Sequence, residues 1–313
     1  CFSYIKARED LIPRDYEKRL KEAKYFVVLK NGVLDLRSLE LRKHSPEYLT
    51  FYELKAKWTG KRDTEFFEKF LNQISDGDQQ IRTRIQEVMG YLMSSLNDGK
   101  CFFVMGTAPD SGKSTIGNLL REIIGERYIA YRATYQLSNR FSLGDTQGKL
   151  INMAMDLPKG KLDAMTVALL KQITGGDLIT VEKKYENMRS IRSKMRFLFA
   201  SNYPVVIPKV DDDTAFWERM IIIPFEHSVP KPELDHELLE KLLQEKNSIV
   251  TRCLCAVHKV VTRNFSFSHC AVADNMKKRW RYQLEDISGT IEQYVSKKLT
   301  VTGNVSDKVY LQD

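Results

Sequence analysis

One stretch of this chain leaves few choices of fold. Residues Cys101 to Met105 are apolar and β-prone, the pattern of a short buried strand. A turn-rich segment with Gly106, Pro109, Asp110, Ser111 and Gly112 follows, and then a helical pattern begins. Ile116, Leu119, Leu120, Ile123 and Ile124 recur at helical spacing, and Gly125 is placed to stop the helix. Strand, glycine loop, Gly112-Lys113-Ser114-Thr115 and helix together predict a phosphate-binding loop, because the free N–H groups of a helix N-terminus stabilise an anion. The candidate nucleotide-binding residues are Gly106, Thr107, Asp110, Ser111, Gly112, Lys113, Ser114 and Thr115. Among them Lys113 would reach the β- and γ-phosphates of a nucleotide, and the Ser114 hydroxyl would hold Mg2+. Five residues separate Gly106 from Gly112, one more than the usual pattern. Either the loop bulges by a residue or Thr107 takes the place of the first glycine.

Composition narrows the setting. A chain of 313 residues can hold two modules and a large core. No apolar run approaches the length that spans a bilayer, and the amino-terminal residues Lys6, Arg8, Glu9 and Asp10 do not belong to a secretion signal. Five irregularly placed cysteines argue for a reducing compartment, hence the cytoplasm, and that of a host cell if the chain is encoded by a virus or phage. Cys253 and Cys255, two apart in a helical pattern, read as buried thiols in preference to zinc ligands. A net charge of +8 is compatible with a polyanionic partner. The chain has no initiator Met and stops at Asp313 inside a patterned region, so a fragment is expected.

Along the chain, Tyr16 to Lys24 reads as a charged helix, and Phe26 to Leu36 as a hairpin turning at Asn31-Gly32. Helical patterns at 64–74 and 79–95 are separated by Asp76-Gly77-Asp78. This first module, 1–97, contains no catalytic constellation and is expected to serve packing and assembly. Residues 98–230 then alternate strands and helices, which implies a parallel α/β sheet. Leu150 to Asp156 is a buried strand ending in a carboxylate, 161–173 is helical, and 179–196 reads as a strand, an exposed turn and a second strand. Phe197 to Ala200 leads to Ser201-Asn202, and Met220 to Ile223 is the last strand. Residues 231–313 are expected to be helical, beginning with a pattern over 234–261.

From about residue 25 to 310 the chain resembles the helicase part of phage, plasmid and poxvirus primase-helicases, within the superfamily 3 helicases of the AAA+ type. The resemblance rests on motifs in order: Gly32 to Leu36 for the amino-terminal module, Gly112-Lys113-Ser114-Thr115 for Walker A, and Gly148 to Asp156 for the Walker B strand. Leu170 to Asp177 with Lys183-Lys184-Tyr185, then Ala200 to Pro204 for sensor 1, then Ala215 to Phe225 for the arginine-finger strand, complete the set. It implies an AAA+-like P-loop NTPase with a parallel central sheet. A mostly helical module with a hairpin precedes it, and a helical region that begins a winged-helix tail follows it. It also implies ATP and Mg2+ as cofactors, single-stranded DNA as partner, a homo-oligomeric, hexameric ring, and a primase domain or partner.

Each implied role has a plainer reading beside it. Asp156 serves Mg2+ or the attacking water, or it caps a helix. Only one acid is present, because Met155 precedes it where related ATPases carry two. Asn202 senses the γ-phosphate, or it closes a strand-end turn. Arg219 reaches a neighbouring subunit's nucleotide, or it pairs with one of Asp211 to Asp213. Lys183, Lys184 and Tyr185 grip a single strand inside a ring, or they form a solvated hairpin face. The run Lys277 to Tyr282 is a second DNA candidate, or a helix with Trp280 and Tyr282 packed inward. The catalytic set is thus Lys113, Asp156, Asn202 and Arg219, in an ATP-driven, ring-forming DNA helicase or translocase. An ATP-binding origin platform that barely hydrolyses, and a P-loop enzyme without nucleic acid, are its rivals.

Overall fold

The computed structural model describes residues 15–139, 143–146, 148–182, 188–193, 195–208 and 214–282. Its amino-terminal part opens with α1 (Tyr16–Glu22), which tightens into a 3-10 turn at Ala23–Tyr25. A three-stranded antiparallel sheet follows, in the order β1 (Phe26–Leu29), β2 (Gly32–Asp35), β3 (Glu40–Arg42). The hairpin exists as expected, but its turn is shifted. Leu29 pairs with Gly32, so Lys30 and Asn31 are the turn residues and Gly32 is already in the strand. Tertiary contacts override the local Asn-Gly preference here. Asn31 donates to Trp58 O and accepts from Trp58 N, both at 2.8 Å, while a Cβ on Gly32 would run into the Arg42 carbonyl of β3.

Two amphipathic helices come next, α2 (Phe66–Ser75) and α3 (Gln79–Leu92). The break between them is Asp76, in the left-handed region, and Asp78 caps α3 by accepting from Gln80 N and Ile81 N. The main sheet consists of β4 (Phe102–Thr107), β5 (Ile129–Ala130), β6 (Ile151–Ala154), β9 (Arg196–Ala200) and β10 (Met220–Phe225). All its pairings are parallel, in the order β10-β4-β9-β6-β5. Counted from β4, that is fifth, first, fourth, third, second: an AAA+-like α/β fold. The crossovers are supplied by α4 (Lys113–Ile124), α5 (Thr134–Leu137), α6 (Ala164–Gly175) and α7 (Thr214–Arg219). A two-stranded antiparallel ribbon, β7 (Leu178–Val181) with β8 (Arg189–Arg192), is inserted between α6 and β9. Parallel strands covered on both faces read as continuous apolar runs, and Phe102 to Met105 and Phe197 to Ala200 are all buried.

After β10 come α8 (Leu238–Gln244), α9 (Lys246–Thr262) and α10 (Ala271–Tyr282). The single helical pattern expected over 234–261 is broken at Glu245, for a reason outside that pattern. The Glu245 carboxylate turns away to accept the backbone N–H groups of Glu65, Phe66 and Phe67, at 2.5, 3.0 and 2.9 Å. It therefore caps α2 from a distant part of the chain, where the free N–H groups of a helix start favour an anion. Helix α9 crosses α3 closely, since a Cβ on Gly90 would strike the Cys253 carbonyl. A mid-helix glycine costs about 1 kcal/mol relative to alanine, and here the close crossing requires it. Glu87, 1% exposed, locks the same joint by accepting from Arg263 Nη2, Ser268 Oγ and Ser268 N at 2.5, 2.6 and 2.9 Å. One continuous apolar cluster runs from Val27 through the main sheet to Trp280. Trp280 is 3% exposed and lies against Gly106, so the inward-packed reading of that aromatic position holds. Cys253 is fully buried, and burial pushes its thiol up to about 12. No helix among the described residues is long and apolar enough to cross a membrane.

Replacing Glu245 by alanine leaves those amides without an acceptor and is expected to cost about 1–3 kcal/mol in urea unfolding. The same change at Glu240, exposed on α8, is expected to stay within about 0.5 kcal/mol of wild type.

Candidate functional site

The sequence forms the loop by ending a buried strand abruptly. β4 runs through Thr107, which pairs with Phe225, and Ala108 N donates to Phe225 O at 2.7 Å. Thr107 is therefore the last residue of the strand, with four residues between it and Gly112. Gly106 belongs to the strand interior, and neither Gly106 nor Thr107 is among the residues lining the cleft described below. The loop is tied to the segment after β10: Ser228 Oγ donates to Pro109 O at 2.7 Å, and Val229 N to Asp110 O at 2.9 Å. It ends at Gly112, whose φ of 88° suits glycine and whose missing Cβ would sit 2.7 Å from Ile74 and 3.0 Å from Phe70. Helix α2 thus braces the start of α4.

Lys113 is the first residue of α4 and is only 8% exposed. Its ammonium donates to the Ala108 carbonyl and, at 3.2 Å, to Ser111 Oγ, which in turn donates to Ala108 O at 2.7 Å. No carboxylate forms an ion pair with it among the described residues; Asp110 acts on it only through space. Desolvation by burial lowers its pKa below the ordinary lysine value, and Asp110 partly opposes that shift. A buried cation with neutral partners is chemically suited to a polyanion.

A cleft of about 410 Å³ opens in front of this lysine. It is lined by Pro109 to Thr115 of the loop, by Met155 and Asp156 after β6, and by Asn202 after β9. Of the expected catalytic set, Lys113, Asp156 and Asn202 meet here, together with the metal candidate Ser114. Leu157 N donates to Ala200 O at 2.8 Å, and Ser201 N to Met105 O at 2.8 Å, so the ends of β4, β6 and β9 are stitched side by side. Ser201 Oγ donates to Tyr203 O at 2.7 Å and accepts Tyr203 N at 3.0 Å, which holds the turn carrying Asn202. Asp156 and Asn202 are both exposed to the cleft. Met155 packs over α4, with its Cε 2.7 Å from where a Cβ on Gly117 would lie. Ser114 and Asp156 offer the hard oxygen donors that suit Mg2+, a cation that commonly takes few protein ligands.

Arg219 lies elsewhere. It ends α7 just before Met220, which pairs with Phe102 at the start of β4, whereas the loop follows Thr107 at the other end. The paired strands separate it from the cleft by on the order of 17 Å. Its Nη1 donates to Ala215 O at 2.8 Å, and its Nε is buried with no hydrogen-bond partner among the described residues. Asp211 to Asp213 lie outside the described residues, as do Lys183, Lys184 and Tyr185; the ribbon arms β7 and β8 are described on either side of the latter.

The sequence reading missed one wall. Phe70 and Gln73 of α2 line the cleft, with Val229, Leu234 and Leu238 from beyond β10. A module expected only to pack thus contributes to the site. Phe70 carries a helical-period signal, but that signal marks any core face equally.

Residues 2–76 match a family described as D5 N terminal like, and residues 104–219 match a family of unknown function (DUF5906). A helicase-named protein of Acanthamoeba polyphaga mimivirus is 26% identical over 243 residues, 72% of this chain and 25% of that protein. A helicase-named protein of Invertebrate iridescent virus 3 is 25% identical over 248 residues, 73% of this chain and 26% of that protein. The chain thus spans about a quarter of the length of the curated relatives it matches. Among solved structures, the apo NrS-1 C-terminal region is similar, with a TM-score of 0.59 and 15% identity over 77% of this chain and 56% of that one. That likeness is one of fold.

The Lys113 environment has two measurable consequences. While charged, a lysine with a lowered folded pKa destabilises the fold, so Lys113→Met is expected to raise the melting temperature of the ligand-free chain at neutral pH. Phosphate favours the ammonium, so binding restores the pKa upward and takes up a proton. Affinity for Mg2+-tripolyphosphate is therefore expected to fall as pH rises through the lowered Lys113 value, a dependence that calorimetry should find absent in Lys113→Met.

Proposed function

We propose that this chain, which belongs to the superfamily 3 helicases of the phage, plasmid and poxvirus primase-helicase family, hydrolyses ATP to move single-stranded DNA during replication of a virus or mobile element. The observation that carries the reading is the convergence of Lys113, Ser114, Asp156 and Asn202 on one cleft at the carboxyl ends of parallel strands. That edge is where open α/β sheets bind ligands.

In this reading Lys113 leaves its neutral partners for the β- and γ-phosphates, and the N–H groups at the start of α4 face the same oxygens. Ser114 and Asp156 hold Mg2+, which screens phosphate charge when bound. Asp156 also orients a water for in-line attack on the γ-phosphorus, and Asn202 hydrogen-bonds the γ-phosphate as it separates. The bond that breaks is the one between the γ-phosphorus and the bridging oxygen, and ADP leaves with phosphate.

Arg219 cannot serve its own chain's cleft from the opposite end of the sheet. It acts on the nucleotide of an adjacent copy, where a fixed guanidinium offsets transition-state charge. The active unit is then a homo-oligomeric ring, a hexamer in the family pattern. Lys183, Lys184 and Tyr185, which follow β7 in sequence, contact a strand in its channel. Support for coupling comes from β9, which begins just beyond the ribbon and ends at the turn carrying Asn202. Met155, packed on α4 where related ATPases have a second acid, favours slower hydrolysis and keeps the ATP-binding origin platform as a second reading.

Single-turnover hydrolysis separates the two, since the platform leaves ATP largely uncleaved. The motor reading expects ATPase activity that single-stranded DNA stimulates and Lys113→Ala removes. Arg219→Ala is expected to be equally inactive alone. Mixed with Lys113→Ala it should regain part of the activity, because some interfaces then join an intact loop to an intact arginine; no recovery in a mixed ring would sink the trans role. Lys184→Ala is expected to flatten the salt dependence of strand binding by about 0.7 per lost phosphate contact.

A further inference from the structure

A second cleft, of about 550 Å³, lies where α3, α9 and the segment before α2 meet. Among the described residues it shares no lining position with the cleft at Lys113 or with the β7–β8 ribbon. Its walls are fixed: the close crossing at Gly90 sets α9 on α3, and buried Glu87 fastens Arg263 and Ser268. Cations crowd it. Arg252, Cys255 and Lys259 recur at three- and four-residue spacing on one face of α9, and Arg263 follows the end of that helix. Arg62 adds a charge from the segment before α2, so four cations line the cleft against one carboxylate, Glu87. Two of the four are already paired. Arg252 pairs with Glu68 and donates to Gln86 Oε1 at 2.7 Å, and Arg263 pairs with Glu87. Arg62 and Lys259 differ: neither side chain forms an ion pair or a hydrogen bond among the described residues, and both act through space on the partly exposed Cys255. Burial raises that thiol above its ordinary value, and the two cations oppose the shift. None of the described residues that line the cleft is aromatic, whereas Gln79 and Thr83 bring an amide and a hydroxyl. Such a lining suits a hydrophilic anion. It offers no ring on which a base stacks, and no apolar centre of the kind that protein partners bury.

We propose that this cleft binds backbone phosphates of a nucleic acid strand, with Arg62 and Lys259 as the two charged contacts and the Gln79 amide as a further donor. The ligand class follows from the lining, because guanidinium, ammonium, amide and hydroxyl donors position a strand by its phosphates and carry no sequence information. The bases face solvent, and binding is independent of sequence. Arg62 belongs to the amino-terminal module and Lys259 to the carboxyl-terminal helices, so a bound strand spans the joint between them. The site goes beyond the motor reading, which puts strand contacts at Lys183 to Tyr185, and rests on one premise of it, that the chain binds a single strand.

Cys255 supplies a readout on the whole chain. Its alkylation, assigned by peptide mass mapping since Cys101, Cys253 and Cys270 are buried, is to be followed with oligothymidylate, with polyglutamate and with neither. Oligothymidylate is expected to slow the reaction several-fold, because phosphate covers the thiol and offsets the two charges that favour its thiolate. Polyglutamate at the same charge concentration is expected to slow it far less. Arg62→Ala combined with Lys259→Ala is expected to lower the slope of strand affinity against salt by about 1.4, two contacts at about 0.7 each. Lys18→Ala with Lys21→Ala, an equal loss of charge on exposed positions of α1, is expected to leave that slope unchanged. Equal slopes in the two double variants, or Cys255 alkylation that bound oligothymidylate leaves untouched, overturn the site and leave the ribbon contacts standing. Slowing that polyglutamate matches overturns the strand assignment in favour of an acidic protein segment. If wild type binds no strand at all, the strand-binding reading itself falls and takes this site with it.

Discussion

Burying the Lys113 ammonium against two neutral oxygens is unfavourable, and much of the surrounding architecture exists to keep it there. The strand must stop at Thr107 so that Ala108 and Ser111 turn their oxygens inward. The loop must be pinned from outside, which Ser228 and Val229 do through Pro109 and Asp110. Gly112 must lack a side chain so that Phe70 and Ile74 can brace the first turn of α4. A group held in this way is preorganised: the work of desolvating the cation is done by folding, and an arriving polyanion meets a charge that water no longer screens.

Strand order does the second job, which is separation. Because β9 lies between β4 and β6, the turn after β9 falls between the phosphate loop and the acid after β6. The other end of β9 joins the basic ribbon, and α7 delivers Arg219 at that same end, beside the start of β10. Groups that face the cleft and groups suited to reach outward are thus held a strand's length apart by a hydrogen-bonded, fully covered sheet. Such a sheet transmits a displacement between its ends with little loss, since close-packed interiors deform in discrete steps and resist gradual strain.

What the sequence made legible followed periodicity and chain proximity. The spacing from Ile116 to Ile124, the apolar runs of β4, β9 and β10, and the placing of Lys113 at a helix start and of Asp156 and Asn202 after strand ends could all be read locally. The insertion of β9 between β4 and β6 could not be, because no local pattern records which strand pairs with which. Gly106 lies in the strand and away from the cleft lining for a related reason: pairing of Thr107 with Phe225, over a hundred residues away, extends the strand past the glycine. The Asn31-Gly32 turn slid by one residue because Asn31 and Gly32 answer to Trp58 and Arg42. Each miss is a place where a contact distant in sequence outweighed a local preference of a few tenths of a kcal/mol to about 1 kcal/mol.

The same reasoning explains why the contribution of α2 was invisible. By period, Phe66, Phe67, Phe70, Leu71 and Ile74 are simply the apolar face of a helix, and four of them are core. What gives α2 its second role is the company it keeps. Its start is held by Glu245, the residue that separates α8 from α9, and α8 in turn supplies Leu238 to the opposite wall of the cleft. The two walls are therefore fastened to each other behind the cleft by one carboxylate and three amides. A shift of α8 away from the phosphate loop must either draw α2 with it or leave those amides without their acceptor, at a total cost of about 1–3 kcal/mol. Width at the far end of the cleft and the position of the amino-terminal module are accordingly one variable, set by an interaction that touches no ligand.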